Sequence, residues 1–302
     1  MVTANELVKS YGSKNKILAV DKVSFDVNDG EIFGLIGSDG AGKTSVFRML
    51  TTLLLPDSGS ASVDGCDVVK DYKKIRNSIG YMPGKFSLYP DLSVEENLDF
   101  FAKIFKTSIK GNYDLIRDIY VQLEPFKTRR AGKLSGGMKQ KLALCCALIH
   151  KPRSLFLDEP TTGVDPVSRK EFWEMIRQLK KQGITILVST PYMDEATLCE
   201  RIALMQKGKI LSIETPQKII ESYPAKLFAI KGDNIPALVK YISLYDKTTS
   251  SYAFGEYVHA TFRNDSPGEE VLRSYLQSKG IHNIEIKEIQ ATVEDCFIRL
   301  LS

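Results

Sequence analysis

Short, unbroken apolar runs alternate along this chain with stretches of helical period. Residues 17–27 alternate apolar and polar, with Val23, Phe25 and Val27 on one face, and Asp29-Gly30 turns the chain into a second run, Ile32-Phe33-Gly34-Leu35-Ile36. Alternation fits a strand with one wet face, and an unbroken run of this length fits a strand buried on both. A helix is expected over 44–55, a short strand between Pro56-Asp57-Ser58-Gly59 and Asp64-Gly65, and another strand at 79–82. From Leu92 to His150 the period turns helical. Ser93 with Glu96 forms a capping box opening a helix through Phe105, 113–123 is a second amphipathic run, and a third begins near Ser135 and ends at Pro152. Apolar strands return at Leu155-Phe156-Leu157 and at 184–189, separated by a helix from Asp165-Pro166 to Lys181 that Gly183 stops. Strands alternating with helices predict an α/β fold with a parallel sheet.

After Tyr223-Pro224, the expected linker, the rhythm changes. Strands near 227–230, 251–254, 257–262 and 284–289 alternate with helices at 235–242, 267–279 and from Val293 onward, a small α+β unit of split β-α-β type. The expected domains are therefore 1–224, with a helical insert at about 87–150, and 225–302. His259 and His282 stand isolated in the tail pattern, so no catalytic constellation is expected there.

Candidate chemistry enters at the end of the Ile32–Ile36 run. Gly37-Ser38-Asp39-Gly40-Ala41-Gly42-Lys43-Thr44, followed by Ser45, fits G-x-x-x-x-G-K-[ST] between a strand and a helix. The glycines let successive backbone N–H groups and a helix N-terminus face phosphate oxygens, Lys43 adds a fixed cation, and the Thr44 hydroxyl is placed for Mg²⁺. Leu155–Leu157 runs directly into Asp158-Glu159-Pro160, which puts two carboxylates at the C-terminal end of a buried strand, where open α/β sheets hold nucleotides. Asp158 would hold Mg²⁺ directly or through water, and Glu159 would polarise the attacking water as general base. Upstream, Tyr11-Gly12 is expected in a polar loop, and by position alone Tyr11 fits an ordinary half-buried aromatic and a stacking platform equally well.

Composition removes several alternatives. The 302 residues carry 41 basic and 37 acidic side chains in mixed order, a net charge of +4 that does not point to nucleic acid. No run reaches the roughly 20 apolar residues of a membrane span, and MVTANELVKSYG lacks the apolar core of a signal peptide. Cys66, Cys145, Cys146, Cys199 and Cys296 are odd in number and lack metal-type spacing, so reduced thiols in a cytosolic setting are expected.

At Leu134-Ser135-Gly136-Gly137-Met138-Lys139-Gln140 a further motif appears. In the order phosphate loop, LSGGMKQ, LFLDEP and TGVD, the chain over Met1 to about Pro224 resembles the ATP-binding subunit of an ABC transporter. The resemblance implies a P-loop NTPase core with a helical subdomain, ATP and Mg²⁺ as ligands, and two cassettes sandwiching two ATP molecules. It implies that Ser135, Gly136 and Gly137 face the γ-phosphate held by the other cassette, that Asp165 links the two sites, and that Tyr11 stacks on adenine. It further implies a multi-span permease partner met by Gly84 to Pro90, a second cassette as homo- or heterodimer partner, and a peripheral place on the cytoplasmic face of the membrane. The tail, with its closing VEDCF, is similar to the accessory domain of exporter-type subunits. Translation or DNA-repair ATPases of the same class usually carry tandem cassettes or a long coiled-coil insert, and this sequence shows neither; a nucleotide-gated structural partner with little turnover is the third reading.

Two positions depart from that pattern. Gly84 stands where the family has glutamine after IGYMP, and Pro191 where it has histidine after ILVST. Both lost side chains attend the γ-phosphate end of the site in the family. Proline has neither a side-chain donor nor an N–H, so turnover is expected to suffer more than binding, the alternative being that neighbours such as Lys85 or Tyr192 substitute.

Overall fold

The computed structural model describes residues 1–12 and 16–301; Ser302, the end of the expected tail, lies outside them. The chain divides into two compact units, Met1–Pro216 and Gln217–Ser302.

In the first unit the strands β1 (Val2–Tyr11), β2 (Ile17–Val27) and β3 (Ile32–Ile36) lead to α1 (Lys43–Leu50). Then come β4 (Ser58–Val63), β5 (Cys66–Asp67), α2 (Tyr72–Ser78) and β6 (Ile79–Met82). The helices α3 (Val94–Ile104), α4 (Tyr113–Tyr120) and α5 (Gly136–Leu148) form the insert. Next are β7 (Ser154–Asp158), α6 (Pro166–Lys181), β8 (Thr185–Thr190), α7 (Met193–Ala196), β9 (Arg201–Gln206) and β10 (Lys209–Glu214). Among the described residues the strands β10-β9-β3-β8-β7-β6 make one sheet, parallel from β9 to β6, and β2-β1-β4-β5 make an antiparallel one. Every residue of β3, β7 and β8 is buried, as their unbroken apolar runs require. Phe33, Phe47 and Phe156 are core residues joining the sheet to α1 and to the antiparallel layer.

Two expectations change here. Tyr11 is the last residue of β1, paired with Ile17, and does not sit in a loop. The phosphate-loop helix stops at Leu50, because Thr52 takes a left-handed φ of 64° and the Leu53 and Leu54 amides turn back onto the Arg48 carbonyl.

The second unit opens with the rest of α8 (Pro216–Glu221) and holds β11 (Leu227–Lys231), α9 (Ile235–Ser243), β12 (Thr248–Phe254), β13 (Tyr257–Phe262), α10 (Glu269–Ser278), β14 (Glu285–Ile289) and α11 (Val293–Leu300). Its antiparallel order, β12-β13-β11-β14, is the split β-α-β arrangement. The compact division precedes Tyr223-Pro224 because the preceding turn packs with the tail: the Cys296 thiol lies 3.3 Å from the Ile219 carbonyl, and Arg299 covers the Tyr223 ring.

His259 is not isolated. Its Nδ1 lies 2.6 Å from Asp295 Oδ1, which also accepts from the Tyr252 hydroxyl at 2.7 Å, while Asp295 Oδ2 accepts from the Thr292 amide and hydroxyl that cap α11. Burial alone would raise the Asp295 carboxyl, but donation from His259, Thr292 and Tyr252 outweighs it and lowers the carboxyl from 3.8 to about 2. A depressed carboxyl stabilises the fold above its unfolded value and loses that contribution as pH falls through the folded one. Tail stability should therefore decline from about pH 4 toward 2 in the wild type, and Asp295→Asn should flatten that decline. At neutral pH, Asp295→Ala should cost about 3 kcal/mol, read as lost hydrogen-exchange protection across Tyr257–Phe262.

Candidate nucleotide site

The loop leaving β3 is built for close approach. Gly42 has φ 106°, and a Cβ there would stand 2.3 Å from the Ala19 carbonyl; a Cβ on Gly37 would stand 2.1 Å from the Met205 carbonyl. No larger residue fits either place without moving backbone. Gly42 opens α1 without a side-chain cap, so the first helical N–H groups are left for an anion. The Gly37 amide donates to the Thr190 carbonyl at 3.3 Å, Ser38 Oγ donates to Gln206 Oε1 at 2.6 Å, and the Ala41 amide donates to the Ser38 carbonyl, which ties the loop to the ends of β8 and β9. Asp39 and Gly40 are exposed at its tip.

Lys43 is 3% exposed, and its Nζ donates to the Gly37 and Ser38 carbonyls at 2.8 and 3.1 Å and faces Glu159 Oε1 at 3.4 Å. The Thr44 hydroxyl donates to Asp158 Oδ1 at 3.2 Å. Tyr11 is 40% exposed beside this end, its hydroxyl 3.0 Å from Ser45 Oγ. The residues singled out from the phosphate loop and from LFLDEP thus share one cradle.

Ser189, which sequence reasoning took only as the end of an apolar run, organises the carboxylates. Its hydroxyl donates to Asp158 Oδ1 at 2.5 Å, and the Glu159 amide donates to its carbonyl at 2.9 Å and to its Oγ at 3.1 Å. Glu159 takes a left-handed φ of 49°, costly for a side chain with a Cβ and held here by those two contacts. Burial and the nearby Asp158 charge push the Tyr81 hydroxyl up to about 12, so it stays protonated.

A second group forms around α5 and α6. Ser135 caps α5, accepting from the Met138 amide, and Ser135 and Gly136 are exposed. Asp165 caps α6, and the Ser168 amide and hydroxyl hold its carboxyl below the usual value. A Cβ on Gly137 would meet Ser168 Oγ at 2.6 Å, so the two helix starts lie directly together.

The departures also have structural counterparts. A Cβ on Gly84 would stand 3.0 Å from the Asp158 carbonyl, so the backbone after β6 lies tight against the end of β7. Tyr192, a candidate to stand in for the histidine missing at Pro191, has its ring under the Arg169 guanidinium at 4.2 Å.

A hydroxyl and a carboxylate oxygen converging beside a lysine are hard donors that suit Mg²⁺, which Thr44 and Asp158 would hold. When bound, it supplies charge neutralisation at the β- and γ-phosphate oxygens. A glycine cradle after a buried parallel strand, with a lysine and two carboxylates closing on it, defines a P-loop nucleotide-binding ATPase. The family model for ABC transporters matches residues 20–162. The chain is 37% identical over 306 residues to the probable multidrug ABC transporter ATP-binding protein YbhF of Escherichia coli K12, matching along its whole length but spanning only 52% of that protein. It is 36% identical over 296 residues to the Nod factor export ATP-binding protein I of Burkholderia lata, covering 97% of this chain and 94% of that one. A solved structure of an ATP-binding subunit of an ABC transporter superposes with a TM-score of 0.66 at 26% identity, over 74% of this chain and 93% of the other. The chain belongs to the ABC transporter family as an ATP-binding cassette. Among the described residues no helix is long and apolar enough to cross a membrane.

Lys43→Ala removes the fixed cation of the cradle and should abolish ATP binding in a fluorescent-nucleotide titration. Gly42→Ala should do the same by displacing the loop from Ala19.

Proposed function

We propose that the chain is the ATP-binding subunit of an exporter, peripheral on the cytoplasmic face of the membrane, which drives export through a separate multi-span permease. The observation that carries this reading is the convergence of Lys43, Thr44, Asp158 and Glu159 on one cradle. In it the α1 amides and Lys43 bind and orient the triphosphate, and Tyr11 stacks on adenine. Glu159, held by Ser189, takes the proton of the attacking water. Export as the direction is supported by the names of the relatives, a multidrug and a Nod factor export protein. The span 225–302 is read as the accessory domain.

Two surfaces support partners. Ser87 and Leu88 line a cavity of about 180 Å³ with Leu53, Phe101 and Phe105, and His150 lends it a buried Nδ1 with no partner among the described residues. A short permease segment with an apolar side chain and one donor or acceptor fits this place. The exposed Ser135 and Gly136 at the start of α5, beside Asp165, would face the γ-phosphate of a second cassette.

The lost side chains at Gly84 and Pro191 lie on this chain's own site, whereas Ser135–Gly137 and Asp165 serve the partner's. We infer a mixed pair in which this chain's site holds ATP and turns over slowly while its LSGG segment completes a fast site opposite. Glu159→Gln should cut this chain's turnover by roughly a hundredfold while ATP still binds; unchanged turnover would reject the assigned base. Pro191→His should raise turnover by roughly tenfold. Gly84→Gln should gain less, because its Cβ crowds the Asp158 carbonyl. Ser135→Arg should silence the partner's site and leave this one able to bind.

A further inference from the structure

A carboxylate outside the nucleotide cradle is buried as deeply as anything in it. Glu195 is 2% exposed, and both of its oxygens are occupied: Oε1 accepts from the Thr161 hydroxyl at 2.7 Å and from Arg169 Nε and Nη2 at 3.2 and 3.0 Å, and Oε2 accepts from the Thr190 hydroxyl at 2.7 Å. A charge at this depth is tolerated only when its lone pairs are met. The three partners come from three different places: Thr161 from the loop after β7, Thr190 from the end of β8, and Arg169 from α6.

Each partner adjoins a residue already placed in the site. Thr161 follows Glu159 and Pro160, and the Thr162 amide donates to the Glu159 carbonyl at 3.2 Å. The Thr190 carbonyl accepts from the Gly37 amide, the first residue of the phosphate loop, and Ser189 beside it holds Asp158. The Arg169 amide donates to the carbonyl of Asp165, and Arg169 also pairs with Asp194 at 3.2 Å while covering Tyr192. On the same helix Ser168 sits against Gly137.

We propose that Glu195 is a positioning residue: a buried clasp that fixes the loop carrying Glu159 and Asp165 against the loop that follows β8, so that this chain's phosphate loop and its LSGG helix start keep one geometry. A carboxylate serves this purpose because its two oxygens accept from opposite sides at once. Glutamine has one acceptor oxygen, so one side would have to turn from donating to accepting from its amide N–H, and the charged contact with Arg169 would be weakened. With Pro191 in place of a histidine, the loop after β8 has lost a side chain that could anchor it on nucleotide, and the clasp holds it from behind. The functional part of this inference rests on the reading of Glu159 and Asp165 given above; the mechanical part does not.

The test uses the full chain with Thr161→Val, Thr190→Val and both together, isosteric changes that remove the hydroxyls donating to Glu195 and leave the catalytic groups untouched; Thr190→Val also removes the acceptor of the Tyr192 amide at 3.1 Å, so its decisive readout is the far loop at 162–165. The first readout is amide hydrogen exchange. The clasp predicts that Thr161→Val speeds exchange by about tenfold at 192–196 as well as at 162–165, and that Thr190→Val does the same in reverse, since each loop is braced by the other through one charged acceptor. Changes confined to the mutated loop overturn the proposal. The second readout is single-turnover hydrolysis with ATP affinity measured alongside. Each single change should slow hydrolysis several-fold at unchanged affinity, and the double change should be no worse than the more severe single. Additive losses, or a loss of affinity matching the loss of rate, contradict a clasp. A wild-type chain with no hydrolysis at all would reject the reading of the site, and the exchange experiment would still decide the clasp.

Discussion

The hydrogen bonds of Ser189 are the contact on which the rest of the site depends. The strand order β3-β8-β7 sets the phosphate loop and the two carboxylates one strand apart, and Ser189, on the strand between them, holds both carboxylate residues. Its hydroxyl fixes Asp158, while its carbonyl and oxygen hold the Glu159 backbone in a left-handed conformation that would otherwise relax. Lys43 then closes the cradle from the third side, pairing with Glu159 across 3.4 Å. Burying these charges is tolerable because each has partners within the same small volume. A buried parallel sheet provides that volume, since the carboxyl ends of its strands all open on the same edge.

Against this well-built cradle, the substitutions at Gly84 and Pro191 stand out. At Gly84, where the resemblance expects glutamine, the backbone after β6 runs close to the end of β7, and a Cβ there would stand 3.0 Å from the Asp158 carbonyl. Pro191 fixes its own φ and gives up a donor, and Tyr192 turns to Arg169. On the function proposed above, the binding groups are kept while groups that attend the γ-phosphate are thinned, and we infer a site that holds nucleotide longer than it cleaves it.

Much of this was legible in residue order. The buried strands announced themselves as unbroken apolar runs, and the helix starts at Ser93, Ser135 and Asp165 by residues that accept from the first turn. The glycine cradle was legible because only glycine survives where a Cβ would meet the Ala19 and Met205 carbonyls. Contacts made by ordinary residues far apart in sequence were not legible. Ser189 read as the end of a strand, Glu195 carried no sequence signal at all, and His259 read as a lone histidine, until folding brought Asp158, Thr161 and Asp295 to them. β1 was missed because its face pattern is irregular, with Glu6 at a positive φ and the register shifting along the ladder to β2. The start of the second unit was placed late, since a Tyr-Pro step reads as a linker whether or not the turn before it packs onto the tail.

The proposed division of labour rests on the gap between holding ATP and cleaving it. The most direct measurement mixes excess purified chain with radiolabelled Mg-ATP and follows bound nucleotide and released phosphate in the same samples. Retention of one ATP per chain, with phosphate appearing far more slowly than nucleotide binds, is the predicted result. Phosphate release that keeps pace with binding would contradict it, because Gly84 and Pro191 would then have cost the site nothing.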